Sequence, residues 1–205
     1  MSALAVGVLA SGEGTNLQAL LDTVHGREAQ IVGVASDKPD AGALARARAA
    51  GVPVGVFPLA QYPDRPARDA ALADWLRERG VGLVVLAGYM TLLTPGFLAR
   101  FPGAVLNVHP SLLPAFPGIG SVQQAVDYGV KVFGVTVHLV DEGVDTGPIV
   151  LQGAVELPDA TEAAEVLAHL RPLEHALLPE AVRAFARGAV AADPANPRRM
   201  VVTTD

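Results

Sequence analysis

At 205 residues, 51% of them hydrophobic, the chain is long enough to bury one ample core, and no apolar run approaches the roughly 18 residues that a membrane span needs. Its formal net charge of −6 argues against a nucleic-acid surface but leaves room for small anionic ligands, which respond to local charge rather than to the total. Zero cysteines remove thiol catalysis, disulfides and thiolate metal sites together, and the opening Met1-Ser2-Ala3-Leu4 reads as strand rather than as a charged-then-apolar leader, so a cytoplasmic protein is expected.

Along the chain, apolar strands alternate with amphipathic helices, the signature of a mostly parallel α/β sheet. The pattern predicts a strand over Leu4–Ala10, a helix over Asn16–Val24, a strand over Ile31–Ser36 and a helix over Ala41–Ala50 stopped by Gly51. A strand over Val54–Phe57, a helix over Pro66–Arg79 stopped by Gly80 and a strand over Val81–Ala87 follow, then a short helix at Pro95–Arg100 and a strand over Ala104–His109. Ser121–Tyr128 reads as another short helix. Lys131–Val140 and Ile149–Leu157 read as a longer strand pair flanking an acidic loop, which brings an antiparallel strand into the C-terminal half. Thr161–Arg187 is helical in pattern, with Pro172 and Pro179 expected to kink or split it, and Asp193–Arg199 reads as a loop before a short Met200–Thr203 strand. With no internal repeat, linker or low-complexity tract, residues 1–205 are expected to form a single domain.

Two loops carry candidate chemistry. The first is Ala10-Ser11-Gly12-Glu13-Gly14-Thr15-Asn16, between the first strand and the first helix. Its small residues let backbone N–H groups close around an anion, and the helix N-terminus adds attraction. The dinucleotide fingerprint fails because Leu17 stands where a third glycine is required, and the P-loop fails for want of Gly-Lys-Ser/Thr. The bland alternative is a tight turn ahead of a capped helix. Asp37, at the end of the second strand, is a decoy for a ribose-binding acid.

The second is Asn107-Val108-His109-Pro110-Ser111-Leu112-Leu113-Pro114. Two positions apart on a strand, Asn107 and His109 project from one face, and Pro110 and Pro114 forbid further pairing or a helix start, leaving the pair at a loop mouth. Asp145 lies in another loop that follows a β pattern, and Asn, His and Asp on separate loops point to an acid/base site. Against this, a His near a strand end is usually a satisfied structural group and an acidic loop a solvated turn. No closely spaced His, Asp and Glu set has ligand geometry, so no metal is expected.

The Asn107–Pro114 motif, followed by Val135-Thr136-Val137-His138, Asp145 and Gly147-Pro148, resembles the folate-dependent formyltransferase superfamily, and within it the phosphoribosylglycinamide (GAR) formyltransferases, from Val6 to about Gly188. The resemblance implies a three-layer Rossmann-like fold with a phosphate-binding half over 1–102 and a catalytic, folate-loop half over 103–205. It implies transfer of the formyl group of 10-formyltetrahydrofolate, the co-substrate, to the amine of GAR in purine (IMP) biosynthesis by a monomer or homodimer. Asn107, His109 and Asp145 match the catalytic set. Gly12, Glu13, Gly14, Thr15 and Asn16 match the loop that holds the ribonucleotide phosphate, and Arg171 and Glu174 match contacts to the GAR phosphate and amine. Arg65, the Met90-Thr91-Leu92-Leu93 segment and Asn107 match folate contacts, as does the loop Asp141-Glu142-Gly143-Val144-Asp145 that closes over the pterin. By default Arg65 is a solvated charge, Met90–Leu93 core packing and the Arg171/Glu174 pair a helix surface.

The chain also departs from the family pattern. Thr91 stands where many relatives carry Arg, Gly120-Ser121-Val122 replaces a His-rich stretch, and Pro172 interrupts the substrate helix. Attack of a neutral amine on a formyl carbon builds a negative oxygen and a positive nitrogen. Asn107 would donate to that oxygen, and a protonated His109 would donate to it and deliver a proton to the departing folate nitrogen, with Asp145 favouring the charged imidazole. Three other readings are weighed. A formyltetrahydrofolate deformylase would use the same trio with water as acceptor, and the relatives in question carry an extra N-terminal regulatory domain. A methionyl-tRNA formyltransferase would add a basic C-terminal domain. A non-catalytic nucleotide-binding module would leave Asn107, His109 and Asp145 without a role.

Overall fold

A computed structural model describes residues 3–203, in two compact units that divide between Leu106 and Asn107. In the first, β1 (Leu4–Leu9) pairs in parallel with β2 (Ala29–Ser36) on one side and β4 (Leu83–Leu86) on the other, and β2 pairs in parallel with β3 (Val54–Val56). Parallel neighbours need crossovers, and α1 (Thr15–Thr23), α2 (Gly42–Ala49) and α3 (Arg65–Arg77) supply them. Val6, Val8, Leu9, Val84 and Val85 are all buried, as expected for strands covered on both faces. Asp64 caps α3, its carboxylate accepting from the Ala67 N–H at 2.8 Å, with Pro66 in the first turn. Gly51 and Gly80, both at positive φ, end the helices as the sequence predicts.

The order β3-β2-β1-β4 places the carboxyl ends of β2, β1 and β4 side by side. Strand order reverses between β1 and β4, and in open α/β sheets the crevice outside that reversal is where ligands bind. A short helix, α4 (Pro95–Leu98), follows β4.

Strand β5 (Val105–His109) carries the chain into the second unit, where α5 (Ser121–Tyr128) leads to β6 (Val132–Leu139), antiparallel to β7 (Ile149–Glu156). The loop after β5 is fastened to this pair. The Thr136 hydroxyl donates to the Ser111 carbonyl at 2.7 Å and accepts from the Leu113 N–H at 3.1 Å, and the Gln152 amide donates to Thr136 and to the Leu113 carbonyl at 2.9 and 3.0 Å. The α/β class, the parallel first half and the antiparallel strand in the C-terminal half are as the sequence predicts.

Two expectations give way. The prolines do not split α6, which continues as one helix over Ala163–Ala186 through Pro172 and Pro179. Each proline removes one intrahelical donor, but buried Val166, Leu170, Leu178 and Val182 hold the helix to the core along its length. Residues Asp193–Arg199 are not a loop: β8 (Val190–Asp193) and β9 (Asn196–Val202) form an antiparallel hairpin, turned by the Asp193 carboxylate accepting from the Ala195 N–H at 2.9 Å. Most of its residues are exposed, so no apolar alternation marks it as strand.

Candidate active site

Asn107 and His109 leave β5 on one face and both reach the carboxylate of Asp145. The Asn107 amide nitrogen donates to Asp145 Oδ1 at 3.3 Å, and His109 Nδ1 stands 3.3 Å from Oδ2. The Gly118 N–H donates to Oδ2 at 2.8 Å. His109 Nε2 faces the Phe116 carbonyl at 2.9 Å. Acceptors therefore stand opposite both ring nitrogens. Asp145 and Phe116 both sit at φ 52, a left-handed conformation uncommon outside glycine. Backbone held this way costs about 1–3 kcal/mol and gathers at functional sites.

A second histidine completes the cluster. His138 Nδ1 meets the Leu139 carbonyl at 2.8 Å, which makes that nitrogen the N–H donor, and Nε2 then faces the Asn107 amide nitrogen at 3.2 Å and Asp145 Oδ1 at 3.5 Å. The β6–β7 register shifts between Val137 and His138, an irregularity of the kind that re-aims a side chain. His138 lies within the family motif, yet nothing in its local sequence separates it from a buried strand residue; its alternation with Thr136 was the available signal. The Asp145 carboxyl is held down at about 2, mainly by hydrogen bonding with His138 against the opposing effect of burial, with the Gly118 N–H and the two imidazoles adding to it. Among the described residues no group of three or more His, Asp or Glu is placed to hold a metal ion.

The acidic loop is organised from within. Asp141 Oδ1 accepts from the Gly143 N–H at 3.1 Å and from the Thr146 hydroxyl at 2.6 Å, while Glu142, Gly143 and Val144 are exposed. On α6, Arg171 is exposed and Glu174 half-buried. Burial and the nearby Arg171 charge push the His175 imidazole below its ordinary value.

In the first unit, the Gly12–Asn16 loop joins β1 to α1. Gly14, at φ +77, is the N-cap of α1, and a Cβ there would stand 2.6 Å from Ala43 Cα. Only glycine fits that approach. The loop is pinned to α2, whose Ala43 N–H donates to the Gly12 carbonyl at 3.1 Å and whose Arg46 guanidinium donates to the Glu13 carbonyl at 2.8 Å. After β4, the Met90–Leu93 segment is not core packing: Met90 is 66% and Leu92 57% exposed, apolar surface at the carboxyl edge of a sheet. Arg65 is exposed at the start of α3.

The chain matches the formyl transferase family over residues 4–182. It is 42% identical over 185 residues to the phosphoribosylglycinamide formyltransferase of Haemophilus influenzae, covering 89% of this chain and 87% of that protein. To the enzyme of the same name from Mycobacterium tuberculosis it is 46% identical over 180 residues, covering 87% and 83%. Glycinamide ribonucleotide transformylase 1 from Symbiobacterium toebii superposes with a TM-score of 0.92 at 45% identity, over 98% of this chain and 95% of that one. On these matches the chain belongs to the formyl transferase family, among its phosphoribosylglycinamide formyltransferases.

Proposed function

We propose that Asn107, His109 and Asp145 move the formyl group of 10-formyltetrahydrofolate to the amine of GAR, a step of purine biosynthesis, by direct attack of the amine through a tetrahedral intermediate. The observation that carries this reading is the single carboxylate reached by both the amide of Asn107 and the imidazole of His109. An amide N–H stabilises the negative oxygen of the intermediate, an imidazolium supplies the proton that the folate nitrogen takes as the carbon–nitrogen bond breaks, and the proton given up by the attacking amine restores the imidazolium. The Asn107 to Asp145 hydrogen bond is long at 3.3 Å, so substrate oxygen can compete for that donor.

Gly12, Glu13, Gly14, Thr15 and Asn16 would hold the GAR phosphate, with Arg171 and Glu174 as further GAR contacts. Support comes from the left-handed Gly14 at the head of α1. Arg65, Met90, Thr91, Leu92, Leu93, Asn107 and the loop Asp141–Asp145 would bind the folate, supported by the exposed apolar side chains of Met90, Leu92 and Val144. The same reading carries a single catalytic domain over 1–205, as the family match spanning both units supports, and a cytoplasmic monomer or homodimer. Its test is an assay that follows cofactor consumption with GAR present or absent. Turnover that requires GAR is expected, whereas equal turnover with water alone as acceptor would mark a deformylase.

Gly14→Val separates the two ligands. Its Cβ would meet Ala43 Cα of α2, so the anion loop must shift away from the helix it is pinned to, raising the GAR KM by about tenfold or more, the size of one lost charge-assisted hydrogen bond. The folate KM should stay nearly unchanged. Equal weakening of both ligands, with a lowered Tm, would mean misfolding and undo the assignment of this loop.

A further inference from the structure

We propose that Asp37, just beyond the carboxyl end of β2, is a positioning residue that sets the anion loop and the folate-edge segment in register with each other. The proposal rests on the assignment of those two segments above. Ser11 immediately precedes Gly12 of the anion loop, and its hydroxyl donates to Asp37 Oδ1 at 2.6 Å. The Thr91 hydroxyl, in the folate-edge segment, donates to Asp37 Oδ2 at 2.9 Å. Ser11 is engaged twice more: its Oγ accepts from the Met90 N–H and its own N–H donates to the Gly88 carbonyl, both at 3.0 Å.

One carboxylate thus takes a hydroxyl from each of the two loops that rise from β1 and β4, the strands on either side of the order reversal. Each Asp37 oxygen accepts one of these hydroxyls. Ser11 is 4% exposed, so its end of the latch is buried, while Asp37 and Thr91 are half-buried. The exposed Met90 side chain hangs from a backbone whose N–H is fixed to the same serine. Hydrogen bonds to an ionised acceptor are the strong ones, and two loops held by one such acceptor respond together when it is removed. Thr91 supplies one of the two hydroxyls and so holds the folate-edge segment.

Steady-state kinetics of the full chain test this. Asp37→Ala should raise the KM of GAR and of the folate together, each by about tenfold, the scale of one hydrogen bond to a charged group, while kcat at saturation stays put because Asp37 touches no reacting atom. Thr91→Val should raise the folate KM alone, and should do nothing further when added to Asp37→Ala. Asp37→Asn should recover most of the loss, since an amide accepts from one hydroxyl and donates to the other. Amide hydrogen exchange of the unliganded protein adds a readout without turnover, with faster exchange expected over residues 10–16 and 88–93 in Asp37→Ala. A folded Asp37→Ala variant in which either KM is unmoved, or in which kcat falls instead, would overturn the proposal. If wild-type protein does not formylate GAR, the functional reading fails, and exchange still decides this one: unchanged protection at either segment sinks it. Should Asp37→Ala not fold, Thr91→Val decides alone: faster amide exchange over residues 88–93 with a raised folate KM is expected, and unchanged exchange there overturns the proposal.

Discussion

Asp145→Asn is expected to lower kcat by about 10²–10⁴, the range for loss of a positioned acid/base group, with KM for both substrates changing far less. The substitution keeps size and shape. An asparagine oxygen can still accept from the Gly118 N–H, and Asn tolerates the left-handed backbone at φ 52 that this position adopts. What disappears is the negative charge facing His109 Nδ1 and His138 Nε2. Without it the charged imidazole loses its favouring partner, and the pH–rate profile moves toward acid. Turnover near that of wild type with an unmoved profile would take Asp145 out of the mechanism. The same variant has a signature in stability. A carboxyl held at about 2 in the folded state against 3.8 in the unfolded chain stabilises the fold above pH 3.8, and that contribution is lost as pH falls toward 2. Thermal unfolding of wild type and Asp145→Asn across pH 2–7 should therefore show a gap in Tm at neutral pH that narrows below about pH 4.

Asn107→Ala should cost about 10²–10³ in kcat, as loss of one oxyanion donor does elsewhere. In this site it does more than remove a donor to the substrate, because the Asn107 amide also spans His138 Nε2 and Asp145 Oδ1. Because the three side chains work on one carboxylate, the Asn107→Ala/Asp145→Asn double variant should lose less than the product of the single losses. Multiplicative losses would show that the two residues act independently.

How much of this was legible beforehand follows from how each signal is encoded. Period-2 alternation at Asn107 and His109, with prolines after them, announces a polar pair on one face at a strand end, and the structure places both on the Asp145 carboxylate. Helix stops at Gly51 and Gly80 are local backbone chemistry and are equally readable. His138 carries no local mark, because its role depends on a register shift and on a carboxylate seven residues further along the chain. Asp37 carries no local mark either; its partners Ser11 and Thr91 are 26 and 54 residues away. The β8–β9 hairpin was hidden for a different reason, since exposed strands need not alternate. Proline counted against continuity in α6, and buried side chains on its packed face outweighed it.

The left-handed backbone at Asp145 gives this site an unusual separation between chemistry and architecture. Aspartate and asparagine are both residues that visit this φ. The position can therefore lose its charge without losing its loop. A chain altered only at this carboxylate is the form in which donor and acceptor can be soaked together and caught side by side, unreacted, on an otherwise native surface.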